Sequence, residues 1–404
     1  MNKNVKIVHL GLGAFFKAHV AWYTYKTSDW QIAAFTGRSP NAAEELRDNG
    51  FKYKLITKAP NSDQIEIVDS VVEAFNGNDI PALNQYITNP NVAIVTITIT
   101  EFGYNLNEDG MIARLLNALE KRFARNGKPI AIVPCDNLTQ NGTKVRELFN
   151  ELSKNKSEAF RKYLLEKVSI VSTSVDRITP KSEISNQIIT EPYSAWVLQG
   201  DFPAGRPKWE FAGAKFVDDI KPFENRKLWL LNGAHSLLAY MGLNRGFETV
   251  SDAIANPEIR EAVVGFWKEA SEVLKHPELD LDKYQSSLLD RFSNPKIEHK
   301  LAQIAIDGSI KLRERIIPVI KARMASGGST MSCKFVLAQW VEYVANSEFK
   351  DANQIGIQNA LESPDSLKNL ISILDSELSS NEAYVESIAQ QINYGKKNHA
   401  KTTI

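Results

Sequence analysis

The sequence predicts an α/β chain: a parallel, doubly wound sheet domain followed by a mostly α-helical C-terminal domain. Three observations lead there. Continuous β-branched runs without apolar–polar alternation, at 92–97 and 129–134, mark strands buried on both faces. Helical patterns separate such runs through the first half, as crossover-connected parallel strands require. From Lys227 onward the pattern is helical almost without interruption.

Taken in order, Val5–Leu10 is a β-type run that ends in Gly11-Leu12-Gly13, and a helical pattern carrying Phe15, Val20, Trp22 and Tyr23 follows. Lys6, His9 and the two glycines break this apolar stretch, so it reads as a buried first strand rather than a leader segment. A second strand, Gln31–Phe35, closes in Thr36-Gly37-Arg38-Ser39-Pro40. A helix at 41–49, short strands at 51–57 and 64–69 and a helix at 80–87 come next. The strand at 92–97, an amphipathic helix at 111–125 and a strand at 130–133 complete the alternation. Val168–Val175 reads as one strand, and shorter ones are expected at 195–198 and 214–217, between spacers carrying Pro180, Pro192, Pro203 and Pro207. Helices are expected at 227–242, 257–274, 283–291, 296–306, 309–325, 331–346, 366–375 and 382–393, with a basic tail over 395–404.

At roughly 100–200 residues per domain, a chain of 404 residues implies two or three domains. The change of character near Pro222 divides it into 1–222 and 223–404. Forty-eight basic side chains balance forty-eight acidic ones, which argues against a general nucleic-acid binder. No stretch approaches the ~20 apolar residues of a membrane span. Cys135 and Cys333 form neither a disulfide framework nor a metal-ligand cluster, so a reducing, cytoplasmic setting and no bound metal are expected.

Gly11-Leu12-Gly13-Ala14-Phe15-Phe16 stands where a Rossmann-type phosphate loop belongs, between the first strand and the first helix. The first glycine permits the tight turn, and the second lets the backbone approach a pyrophosphate at the helix N-terminus. Phe16 replaces the third glycine of the pattern, so helix–strand packing must differ there. The alternative is an ordinary βα turn. An acid that would accept from a ribose 2′-hydroxyl is absent from Thr36-Gly37-Arg38-Ser39. Arg38 suits a 2′-phosphate or the adenine ring, or else is a solvated loop residue, so NAD and NADP both stay open.

Ligands gather at the carboxyl ends of parallel strands. Thr96–Glu101, which contains Thr100, closes one strand, and Pro134-Cys135-Asp136-Asn137 closes the next. Asn137 alone is equally a helix cap. Lys227-Leu-Trp-Leu-Leu-Asn232-Gly-Ala-His235 is the strongest local signal. At ~100° per residue, Lys227, Asn232 and His235 project at about 0°, 140° and 80° from an otherwise apolar helix. Three polar groups on a mostly buried helix need partners. They suit alcohol–ketone redox: a desolvated lysine takes the hydroxyl proton, and amide donors stabilise the alkoxide-like oxygen.

The sequence resembles the polyol-specific long-chain dehydrogenases, the mannitol dehydrogenase and fructuronate reductase (D-mannonate oxidoreductase) family. The resemblance rests on Ile7–His19, Thr98–Tyr104, Cys135–Gly142, Ser174–Pro180, Glu191–Tyr193, Gly205–Pro207, Lys227–Ser236 and Arg291–Pro295, in order along most of the chain. It implies that Lys227 is the general base, that Asn137 and Asn232 flank the reacting oxygen, and that His235 binds a substrate hydroxyl and orients the lysine. It places Asp176 beside nicotinamide or substrate and Arg291 at the substrate's far end. Gly11, Gly13, Ala14, Phe15, Arg38 and Thr100 become the cofactor contacts, for NAD or NADP and without metal. The implied partner is a small sugar alcohol or sugar acid, of the mannitol/fructose or mannonate/fructuronate type. For a uronate carboxylate, Arg291, Lys17 and Arg177 are the candidate cations. Phe16 and Lys17 stand where the family frequently has His and Arg. Two other readings are a catalytically silent nucleotide-binding regulatory protein of the same fold and a sugar-phosphate dehydrogenase.

Overall fold

The computed structural model describes residues 4–27, 29–37, 39–180, 182 and 184–399. The chain divides into two compact units, Met1–Ile220 and Lys221–Ile404.

The strands of the first unit are β1 (Val5–Leu10), β2 (Gln31–Phe35), β3 (Tyr53–Lys58), β4 (Asp63–Val68), β5 (Val71–Phe75), β6 (Ile94–Ile97), β7 (Ile130–Pro134), β8 (Val168–Ile170), β9 (Ser172–Asp176), β10 (Gln187–Thr190), β11 (Ala195–Gln199) and β12 (Lys215–Phe216). Six of them form a wholly parallel sheet in the order β5-β2-β1-β6-β7-β8. The chain starts in the middle and reverses direction between β1 and β6, so a crevice opens at their carboxyl ends, as in every doubly wound sheet of this order. Both faces are covered. Ile7, Ile32 and Ala34 pack with Phe16 and Trp196 on one side, and Val8, Leu10 and Val95 with Leu116 and Phe149 on the other.

Several strands of the first unit depart from the sequence expectation. Val71–Phe75 is an additional strand, and as β5 it forms one edge of the main sheet. The strands expected at 51–57 and 64–69 lie outside that sheet: β3 and β4 pair antiparallel and, with β10, make a separate three-stranded sheet. Their composition explains it, because Tyr53, Leu55 and Thr57 are buried in alternation with Lys54, the pattern of a half-solvated pair. Val168–Val175 is two strands. β8 completes the main sheet, while β9 pairs antiparallel with β11 in a third sheet. The change occurs at Val171, whose N–H still donates to Ile132 O at 2.9 Å.

The second unit is helical. Its centre is the helix Gly233–Leu243, buried from Gly233 through Gly242. A helix apolar on all sides must be enclosed by others. The helices Pro257–Ser271, Leu301–Ala305 and Met331–Asn346 pack against it. The expected helix at 309–325 breaks into Gly308–Arg315 and Ile317–Ala325, with Pro318 in the first turn of the second piece. The helix expected at 296–306 shortens to Leu301–Ala305, and the terminal helix runs Glu382–His399, into the segment expected as a tail. Among the described residues no helix is long and apolar enough to cross a membrane.

Candidate functional site

At the end of β1 the backbone turns sharply. The N–H groups of Gly11 and Leu12 both donate to Phe35 O, at 2.9 and 2.8 Å. Gly11 has φ +106°, and a methyl built on it would fall 1.9 Å from the Thr98 carbonyl oxygen. The protein itself therefore excludes any other residue there. Gly13 differs: its φ is −140°, and a methyl would meet only Gly11 O, at 3.6 Å. Nothing inside the protein requires glycine at that position, so the open backbone there fits the close approach of a pyrophosphate. Ala14 is exposed and Phe15 half-buried at the start of the helix that follows. Arg38 lies outside the described residues. The backbone just before it is firmly held, for Gly77 N–H donates to Thr36 Oγ1 at 3.0 Å.

Phe16, at the third-glycine position, stacks on His9 with ring centroids 3.5 Å apart and planes 8° from parallel. His9 Nδ1 pairs with Thr96 Oγ1 at 2.8 Å and Nε2 with Thr98 Oγ1 at 3.0 Å. The Thr98 hydroxyl also donates to Gly11 O at 2.8 Å, which makes the neutral Nε2–H tautomer the consistent one. Burial pushes the imidazole down to about 3, against a hydrogen bond to Gly11 that favours the charged form. An aromatic stack on a neutral histidine thus replaces the usual close glycine packing.

Lys17 follows, in a π-helical stretch Lys17–Ala21. Its ammonium lies 5.6 Å from the Tyr53 ring centre, and burial lowers its pKa against the opposing charge of Glu45. Lys17 and Glu45, with Gly13, Ala14, Ser185 and Asn186, line a cavity of about 320 Å³. Arg177 is held by the protein. It is buried, donates to Ala18 O at 2.5 Å and Glu191 O at 3.4 Å, and covers the Trp22 ring at 4.4 Å. It braces the π-helical stretch against the chain after β9.

The carboxyl ends of β6, β7 and β9 carry Thr100, Asn137 and Asp176. Thr100 is exposed, with φ 62° and ψ 165°. That region is essentially reserved for glycine and costs a threonine about 1–3 kcal/mol. Asn137 is exposed two residues past Cys135, and Asp176 is the last residue of β9, opposite Ala195. Two further residues are bonded among these loops, Asp136 and Asn141. Both stand in the Cys135–Gly142 segment, where only Asn137 carried an expected role.

In the second unit, Lys227–Asn232 is π-helical, set between the α-helices Lys221–Arg226 and Gly233–Leu243. Gly233 N–H reaches back five residues to Leu228 O. The 100° spacing expected from an uninterrupted α-helix therefore fails between Lys227 and Asn232. Tertiary donors take carbonyls of this stretch: Trp267 Nε1 donates to Leu230 O at 2.8 Å, and Arg315 donates to Asn232 O at 3.2 Å and Ser236 Oγ at 3.1 Å. Such π turns recur at functional sites.

Lys227 and Asn232 are half-buried, and His235 is 8% exposed. The His235 ring lies between Phe292, at 4.9 Å, and His299, at 5.0 Å. Its Nε2 has no hydrogen-bond partner among the described residues, nor does His299 Nδ1. Burial, then the positive fields of His299, Arg291, Arg315 and Lys311, hold the His235 pKa well below its ordinary value. Arg291 bears on His235, while His299, Lys311 and Arg315 carry no warning in the sequence except that all follow Arg291 within one basic stretch. Among the described residues no group of three or more His, Cys, Asp or Glu is placed to hold a metal ion.

Comparison with known proteins agrees with this arrangement. Residues 5–211 match the mannitol dehydrogenase Rossmann domain, and residues 219–394 the mannitol dehydrogenase C-terminal domain. The chain is 32% identical to D-mannonate oxidoreductase of Escherichia coli (strain K12), over 84% of its own length and 79% of that protein's. It is 30% identical to mannitol 2-dehydrogenase of Aspergillus terreus, over 84% and 78%. Pseudomonas fluorescens mannitol 2-dehydrogenase, solved as a ternary complex with NAD and D-mannitol, superimposes with a TM-score of 0.80 at 25% identity, covering 99% of this chain and 93% of that one. A D-sorbitol dehydrogenase in substrate-free form shares the fold with a TM-score of 0.87 at 24% identity, covering 96% and 92%. With both halves matched and the sheet order, phosphate loop and lysine helix in place, the chain belongs to the mannitol dehydrogenase family of oxidoreductases.

Proposed function

We propose that the chain is an NAD(P)-dependent, metal-independent oxidoreductase that interconverts a secondary alcohol of an open-chain aldonate or polyol with the corresponding keto sugar. Lys227 is its general acid/base. Gly11, Gly13, Ala14, Phe15 and Thr100, with Arg38, would hold the dinucleotide, which supplies the hydride acceptor or donor when bound. The open backbone at Gly13 and the NAD-bound relative support that part.

In the oxidation direction Lys227 Nζ takes the hydroxyl proton. Asn232 and Asn137 each offer an amide N–H suited to an oxygen gaining negative charge. His235, kept neutral, has Nε2 free to bond a substrate hydroxyl. Asp176 is assigned a second hydroxyl and Arg291 the far end of the substrate.

The unpartnered His235 nitrogen and the positive fields of Arg291, Arg315 and Lys311 that bear on it support the choice of substrate. A neutral polyol gains little from that field, whereas a carboxylate gains from each cation. The substrate is accordingly assigned to the sugar acids, of the mannonate/fructuronate type. The test follows NADH and NADPH oxidation with fructuronate, tagaturonate, fructose, xylulose and a phosphorylated ketose. The ketouronates are expected to exceed fructose in kcat/KM by at least about 10-fold. A preference for fructose or for the phosphate ester overturns the sugar-acid assignment, and no turnover with any of them overturns the enzymatic one.

A further inference from the structure

β6 and β7 are neighbours in the main sheet, and their carboxyl ends lead into the loops that carry Thr100 and Asn137. The Asp136 carboxylate reaches across from the second loop to the first. Ile99 N–H donates to its Oδ2 at 2.9 Å, Thr100 N–H to its Oδ1 at 2.8 Å, and the Tyr104 hydroxyl to Oδ2 at 2.7 Å. Two successive backbone amides aimed at one carboxylate hold the two peptides that lead into Thr100, the residue with the glycine-like dihedral angles.

The other side of the same residue is held as well. Asp136 O accepts from Leu138 N–H at 2.8 Å and from Asn141 Nδ2 at 3.3 Å. Asn141 is fully buried at the start of the helix Asn141–Leu152. Its Nδ2 donates to Thr173 O at 2.9 Å, and its Oδ1 accepts from Thr173 N–H at 2.9 Å, the two-point pairing of one more strand. Thr173 lies in β9, three residues before Asp176, and its hydroxyl donates to Pro134 O at 2.5 Å. Gly142 lets the helix come this close, since a methyl there would lie 2.9 Å from Ser172 Cα.

We infer that Asp136 and Asn141 are positioning residues: through them the segments bearing Thr100, Asn137 and Asp176 are bonded into one rigid unit at the carboxyl edge of the sheet. Asn137 sits inside this clasp, four residues before Asn141 and next to Asp136, so its position is set by the bonds that these two residues make. The inference rests on the proposed role of Asn137 at the reacting oxygen.

Asp136→Asn tests it, because the amide keeps the size but sets a donor against one of the two N–H groups that point at the carboxylate. Expected are faster hydrogen exchange at the Ile99 and Thr100 amides and a kcat lowered about 100-fold, the usual consequence of a small misplacement of reacting groups. The NADH dissociation constant, from fluorescence titration, should rise by less than about 10-fold, because Thr100 is one of several proposed cofactor contacts, and the apparent pKa of the base in the pH–rate profile should stay where it is. Tyr104→Phe, which leaves both backbone bonds, should lower kcat by only a few-fold (about threefold). Asn141→Asp, which sets an acceptor against Thr173 O, should resemble Asp136→Asn and decides the matter if the latter does not fold. Unchanged kcat in folded Asp136→Asn and Asn141→Asp, or equal losses in kcat and cofactor affinity, overturns the inference alone. A wild-type chain that reduces none of the keto sugars overturns it together with the functional reading.

Discussion

His9 in the first unit and His235 in the second are both buried, and burial holds both neutral. Their surroundings are opposite. Two threonine hydroxyls and a stacked phenylalanine satisfy His9 on every side. His235 has one nitrogen without a partner, and the positive fields of Arg291, Arg315 and Lys311 bear on it. A depressed pKa in a cleft is a common mark of a functional site. Here it is shared by a histidine that holds a strand to a helix and one proposed to bind substrate, and the unfilled hydrogen bond and the positive fields are what separate them.

The largest expected effect probes the lysine helix itself. Lys227→Ala should reduce turnover by at least about 1000-fold while NADH still binds, as measured by steady-state rates and fluorescence titration. Near-normal activity would sink the assignment of the base. The phosphate loop offers an internal contrast of the same kind as the histidines. Gly11→Ala is expected to prevent folding, since its methyl collides with backbone. Gly13→Ala should leave the melting temperature unchanged and weaken NADH binding about 10-fold. If the two behave alike, Gly13 is a structural residue.

For the histidines, His235→Asn should lower kcat/KM by roughly 10- to 100-fold, the value of one buried hydrogen bond, with little change in stability. His9→Asn should do the reverse, costing about 1–3 kcal/mol in urea unfolding as the threonine hydroxyls lose their partner. Similar outcomes for both variants would erase the distinction drawn above. The smallest effect is in the pH dependence. Below its ordinary pKa of about 6.5 the His9 ring takes a proton in the unfolded chain but not in the folded one. Its contribution to stability therefore declines as pH falls from about 6.5 towards about 3. Urea midpoints at about pH 7 and pH 5 should differ less in His9→Asn than in the unsubstituted chain, and equal slopes would show that the ring titrates normally.

The parts of this fold legible in the sequence are those fixed by local pattern. β6 and β7 announce themselves as continuous apolar runs, and the glycines after β1 stand at the expected turn. β5 was hidden because only Asp69 and Ser70 separate it from β4, and Glu73 interrupts it at the sheet edge where partial exposure permits a charge. Within the candidate site, residue types were readable and geometry was not. The π register at Lys227 depends on donors from Trp267 and Arg315, far away in the sequence. The clasp of Asp136 depends on how β6 and β7 are aligned, which no single segment encodes.

The π turn at Lys227–Asn232 carries one further consequence. Such a turn is an α-helix with one residue more than its register needs. It works as a phase adjuster, rotating the side chains before it by about 100° relative to those after it while both flanking helices keep regular bonding. Lys227 opens it and His235 lies beyond it, so their relative azimuth is set by one residue's worth of slack rather than by side-chain identity. Deleting one of the apolar residues between Lys227 and Asn232 would retain every proposed catalytic group and still turn the lysine to face a different direction.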